Sequence, residues 1–85
     1  MQPLLQVAPN PLAGVGCVNY SLPRDGQVRL GLYDAVGRSV TTLANGCACA
    51  GTHTTWLDGS KLSPGVYLLR LSVGDCCAVE KLVRN

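Results

Sequence analysis

The 85-residue sequence contains no phenylalanine and only one methionine, one histidine and one tryptophan. No apolar run approaches the ~20 residues needed to cross a bilayer, so no transmembrane segment is expected. Met1-Gln-Pro-Leu-Leu-Gln6 lacks the basic flank and apolar centre of a signal peptide. An export signal is therefore expected elsewhere, on a longer parent or on a leader already lost, with Met1 an added start. Charge is sparse as well. Seven basic and five acidic residues give +2, and they are scattered singly along the chain, so no stripe able to neutralise several phosphates is visible and nucleic acid is excluded as a partner. No Gly-x-Gly-x-x-Gly or P-loop occurs, which assigns the ten glycines to turns rather than to phosphate cradles. Asp34, Asp58 and Asp75 each lack a second acidic residue close by, so no calcium loop is read, and no cofactor is expected.

What is present is alternation. Val28, Leu30 and Leu32 alternate with Arg29, Gly31 and Tyr33, the period of a strand with one buried face, and Asp34-Ala-Val-Gly37 supplies a turn with glycine at the positive-φ position. The same grammar recurs along the chain and predicts strands at Leu4–Ala8, Cys17–Leu22, Gln27–Asp34, Arg38–Ala44, Thr52–Leu57, Gly65–Val73 and Cys76–Val83. No helical period competes. The reading is one all-β domain over residues 1–85, an Ig-like or fibronectin-III-like antiparallel β-sandwich of about seven strands. Its core is expected from Val18, Tyr20, Leu22, Val28, Leu30, Leu32, Val40, Trp56, Tyr67, Leu69, Leu71 and Val73, with Trp56 the large ring between the sheets and Arg70 facing solvent. A two-residue Gly74-Asp75 loop would pair Val73 with Cys76 and Ser72 with Cys77. That register points Cys76, Ala78 and Leu82 inward and brings Glu80 to the same side, which calls for an edge or a bulge there.

Five cysteines in so short a chain point to an oxidising compartment. Cys47-Ala-Cys49 and Cys76-Cys77 lack the spacing of a structural zinc site. Disulfides between the two clusters are favoured over a metal clasp or free thiols, and Cys17 is left unpaired. A bridge of this loop length would add ~3–4 kcal/mol, comparable to the ~3–5 kcal/mol that so small a core supplies. His53 lies among Thr52, Thr54 and Thr55 with no visible partner for nucleophilic chemistry, and the chain is read as not an enzyme.

The ordered set of Pro9-Asn-Pro11, Val28 to Arg38, Trp56-Leu-Asp-Gly59, Pro64 to Leu71 and Lys81-Leu-Val83 resembles the C-terminal sorting domain of proteins exported by the type IX (Por) secretion system. It is also similar to the Ig-like domain of flagellar hook-capping proteins. In the resembled family the fifth strand reads Ala-Gly-x-His-x-x-x-Trp-Asp-Gly, matched here by Ala50-Gly51-Thr52-His53 and Trp56-Leu57-Asp58-Gly59 with Leu57 inserted. The match makes His53 and Trp56 structural positions. The resemblance implies a non-catalytic export and anchoring module, bacterial, secreted or at the cell surface, recognised by outer-membrane secretion machinery. Gly65-Val-Tyr67, Arg70-Leu71 and Lys81-Leu-Val83 match the terminal signal, Arg84-Asn85 stands where such domains end, and the resemblance implies Lys81, Leu82, Val83 and Arg84 as the recognised residues. The alternative is a self-assembling extracellular subunit, a filament or cap protomer, in which Leu4, Leu5, Gln6 and Val7 pair with a neighbouring copy's edge and exposed cysteines lock the subunits.

Overall fold

The computed structural model describes residues 4–85, so the expectations attached to Met1, Gln2 and Pro3 lie outside the described residues. Alternation and turn chemistry produce strands β1 (Leu4–Ala8), β2 (Val15–Leu22), β3 (Gly26–Asp34), β4 (Ser39–Ala48), β5 (Gly51–Asp58), β6 (Gly65–Val73) and β7 (Cys76–Arg84). A 3-10 turn at Gly59–Lys61 follows β5. The strands form two antiparallel sheets, one ordered β1-β2-β5 and the other β4-β3-β6-β7. This is the expected sandwich. The β3–β4 turn closes as its residues dictate: Asp34 Oδ1 accepts from the backbone N–H groups of Val36 (3.1 Å) and Arg38 (2.9 Å), and Gly37 takes φ +88°.

The two inner faces bury a leucine-rich core in which Val18, Tyr20, Leu22, Val28, Leu30, Leu32, Tyr67, Leu69, Leu71 and Val73 are all buried. Leu5, Leu57 and Leu82 join them. Trp56 does not. The β2–β5 register sets Cys17 opposite Trp56 and Gly16 opposite Leu57, so the pleat turns Leu57 inward (4% exposed) and leaves Trp56 67% exposed on the outer face. Leu57, not Trp56, has taken the core position. Val40 is also excluded, at 42% exposed. The register of β4 slips twice against β3, and Val40 sits in the second irregularity, between Thr41 opposite Leu32 and Ser39 opposite Tyr33.

The last hairpin has the expected register, Val73 opposite Cys76 and Ser72 opposite Cys77. Cys76 nevertheless is exposed, although Val73 opposite it is buried: β6 is an interior strand of the sheet and β7 its edge. Glu80 is half-buried on β7, which is an edge strand. The expected disulfides are absent: all five cysteines are free. Cys47 lies on β4 and Cys76 and Cys77 on β7, the opposite edges of one sheet. Three spacings of ~4.8 Å put them roughly 14 Å apart, far beyond the ~7 Å limit between bridged Cα atoms.

One end of the sandwich is plugged by Leu12, which is 0% exposed although it lies outside the named strands. A methyl group placed on Gly16 would come within 2.5 Å of Leu12 Cδ1, and one on Gly59 within 2.6 Å of Leu12 Cδ2 and 2.7 Å of the Gly14 carbonyl oxygen. Both glycines are therefore space for Leu12.

Gly59→Ala should lower stability by about 1–3 kcal/mol in chemical denaturation, since backbone at Gly14 bounds one side of that space and must shift. Leu57→Ala should cost about 2–4 kcal/mol by leaving a cavity, whereas Trp56→Ala should change stability by less than about 1 kcal/mol. The reverse ranking in paired melts would place the ring in the core. Hydrogen bonds from backbone Arg38 first, then from its side chain and Val36, hold the Asp34 carboxyl below its ordinary 3.8. The Ser60 hydroxyl and N–H do the same for Asp58. Both groups stabilise the fold fully above that value, and the contribution is lost as pH falls through their lower folded values. Thermal melts should thus hold level from about pH 7 to about pH 5 and drop below about pH 4, with Asp34→Asn flattening the acid limb.

Candidate functional site

β7 ends the four-stranded sheet, so one side of its backbone has no strand partner. In an extended strand the N–H and C=O of one residue point to the same side and successive residues alternate. Here the outward groups belong to Cys77, Val79, Lys81 and Val83. Half of that edge is latched. Leu12 donates its N–H to the Val83 carbonyl at 2.7 Å and accepts from Asn85 N–H at 3.0 Å, forming a parallel bridge with Arg84. The Asn10 amide spans the next step: its Nδ2 donates to the Lys81 carbonyl at 2.9 Å and its Oδ1 accepts from Val83 N–H at 3.0 Å. The Asn-Pro-Leu segment therefore serves as a short eighth strand along residues 81–85. Among the described residues, the outward N–H and C=O of Cys77 and Val79 and the N–H of Lys81 have no hydrogen-bond partner.

The four residues singled out at the terminus divide by role in the fold. Lys81 is exposed; Leu82 is fully buried; Val83 is half-buried with its backbone in the latch. Arg84 is half-buried and its Nε donates to the Gly59 carbonyl, while Nη1 donates to the Asn85 carbonyl oxygen. Only Lys81 offers a free side chain. Sequence reasoning missed the group to which it belongs. Arg29 on β3, Arg70 on β6 and Lys81 on β7 all face outward, on successive strands and successive register rows: Arg29 lies opposite Ser72, Arg70 opposite Gly31 and Val79, and Lys81 opposite Leu68. They form a diagonal with steps of about 7–8 Å. No outward-facing residue of the four strands is acidic, and the ion pair among the described residues, Arg38 with Asp34 at 3.0 Å, lies in the β3–β4 turn. Cations scattered singly along the chain are thus gathered by sheet order, a signal visible only once the strands are aligned.

The other candidates do not converge on a reactive centre. His53 Nε2 meets the Cys49 carbonyl oxygen at 2.7 Å, and its ring stacks on Tyr20 with centroids 5.3 Å apart. Cys47 and Cys49 are exposed at the end of β4, and the half-buried Cys17 Sγ lies 3.6 Å from Asn19 Oδ1. No group of three or more histidine, cysteine or acidic side chains among the described residues is placed to hold a metal ion. The segment proposed for exchange between copies, Leu4, Leu5, Gln6 and Val7, is paired with its own β2 from Leu4–Ser21 to Val7–Val18, with Leu5 buried.

No helix among the described residues is long and apolar enough to cross a membrane. Comparison with curated proteins and with solved structures finds no match. A family model does match, that of the secretion system C-terminal sorting domain, over residues 6–85. The matched span includes the latch, both sheets and the terminal strand, and the chain belongs to the family of secretion system C-terminal sorting domains.

Proposed function

We propose that this domain is a non-catalytic sorting and anchoring module of a bacterial secreted or cell-surface protein, read by outer-membrane secretion machinery through the open half of β7 and the cations beside it. The observation that carries this reading is the division of one edge: residues 81–85 are latched in cis, while Cys77, Val79 and the Lys81 N–H remain available for an added strand. Arg29, Arg70 and Lys81 favour a partner with an acidic surface and make its capture faster at low salt. His53, tied to Cys49 and Tyr20, has a structural part in this reading. The likeness to flagellar hook-capping domains rests on sequence motifs alone. A filament or cap subunit that lends β1 to a neighbour draws no support from a β1 already paired along its length.

Fused to a periplasm-directed reporter in a bacterium with type IX secretion, the 85-residue domain should bring the reporter to the surface. Val79→Pro removes an outward N–H without touching the β6 ladder, and should reduce surface reporter at least severalfold while leaving the melting temperature within a few degrees. The Arg70→Glu, Lys81→Glu pair should do likewise. Full delivery by both variants would remove the edge from the mechanism, and failure of the parent domain would remove sorting itself. Large particles of the isolated domain at micromolar concentration would instead support assembly.

A further inference from the structure

The outer face of the three-stranded sheet has a chemistry unlike that of its opposite number. Three register rows cross it: Ala8–Cys17–Trp56, Gln6–Asn19–Thr54 and Leu4–Ser21–Thr52. None of these residues is charged. The one ionised side chain on the face, Asp58, sits past the Trp56 row opposite Val15, with its Oδ1 accepting from the Ser60 N–H (3.0 Å) and hydroxyl (2.6 Å). Trp56 presents a large planar apolar surface at 67% exposure, and Val15 and Leu4 are exposed on the same face; apolar side chains gathered on one exposed face mark interaction sites. Past the Ala8–Cys17–Trp56 row, toward Leu4, the face is polar with hydrogen-bonding capacity to spare. Asn19 Oδ1 accepts from Thr54 Oγ1 at 2.8 Å, which leaves the Asn19 amide N–H groups to donate outward. Past them, Leu4, Gln6, Asn19, Ser21 and Thr52 line a shallow groove of about 220 Å³.

We propose that this face binds a neutral polysaccharide chain. A pyranose ring has one face of C–H groups and a rim of hydroxyls. The C–H face of one unit packs on the electron-rich indole of Trp56, and the hydroxyl rims of the following units meet the amides of Asn19 and Gln6 and then the hydroxyl of Thr52. Rows lie about 6.8 Å apart along the strands, so a few consecutive sugar units reach from Trp56 to the groove. With no cation on the three rows and the Asp58 carboxylate next to the Trp56 row, the face favours an uncharged ligand: an acidic polymer would be repelled at Asp58 and drawn to Arg29, Arg70 and Lys81 on the other sheet.

Trp56 is the only tryptophan, so its emission reports the site directly. Titrating the intact 85-residue chain with cellohexaose, maltohexaose and mannohexaose should give a saturable blue shift with at least one of them, unaffected by moderate salt. On a gel containing the matching polysaccharide, Trp56→Ala should lose at least tenfold in retardation and Gln6→Ala severalfold. The Arg70→Glu, Lys81→Glu pair should be retarded like the parent. Both tested positions are exposed, and circular dichroism verifies the fold of each variant. No shift with any of the three sugars overturns the proposal. So does a shift seen only with polygalacturonate and abolished by salt, or a shift that grows with protein concentration in the absence of sugar, which would mean that a second copy covers Trp56.

Discussion

Leu12 is the residue on which the two ends of this chain depend. Its side chain fills the space left by Gly16 on β2 and Gly59 after β5, and its backbone bonds in both directions to the end of β7. A sandwich of this size has little interior to spare and no disulfide to close it. A single fully buried leucine between the first and second strands therefore joins three otherwise separate parts: the β1–β2 connection, the 3-10 turn and the terminal strand. Arg84 Nε reinforces the same junction at the Gly59 carbonyl. Without Leu12 seated, the end of β7 would lose the backbone bonds at Val83 and Asn85 and be held beyond its β6 ladder only by the Asn10 amide and the Arg84 side chain.

Two sheets of three and four strands leave four edges, and unpaired edges invite unwanted pairing. Each is treated differently. β4 carries two register irregularities that bend it; β1 lies alongside β7 across the sandwich, and β5 alongside β4. β7 is closed over half its length by Asn10 and Leu12 and guarded by Lys81 beside the opening. The surface divides in the same economical way, with cations on the outside of one sheet and, on the other, a cation-free face that bears Trp56.

The strand pattern was legible because alternation is local: β1 and β6 begin and end where the periodicity of Leu4–Ala8 and Gly65–Val73 predicts. Buried leucines and tyrosines follow from the same parity. Trp56 did not, since size argued for burial while register, fixed by the pairing of Gly16 with Leu57, argued against it. Cysteine spacing was a weaker guide for a related reason. Two clusters near one end of a sheet look adjacent in sequence logic, but β3 and β6 lie between them. The Arg29–Arg70–Lys81 diagonal and the Leu12 latch were invisible because each joins residues from distant segments, and neither leaves a mark on local composition.

The latch also acts as a ruler. A strand added along β7 can advance over Cys77 and Val79 but meets the Asn10 amide as it nears the Lys81 carbonyl, which is already taken. Pairing on a long, featureless edge tolerates slippage by two residues at a time. An edge that stops abruptly does not, so a segment paired as proposed would be held to one alignment by where its path ends, before any of its side chains had been compared with the surface.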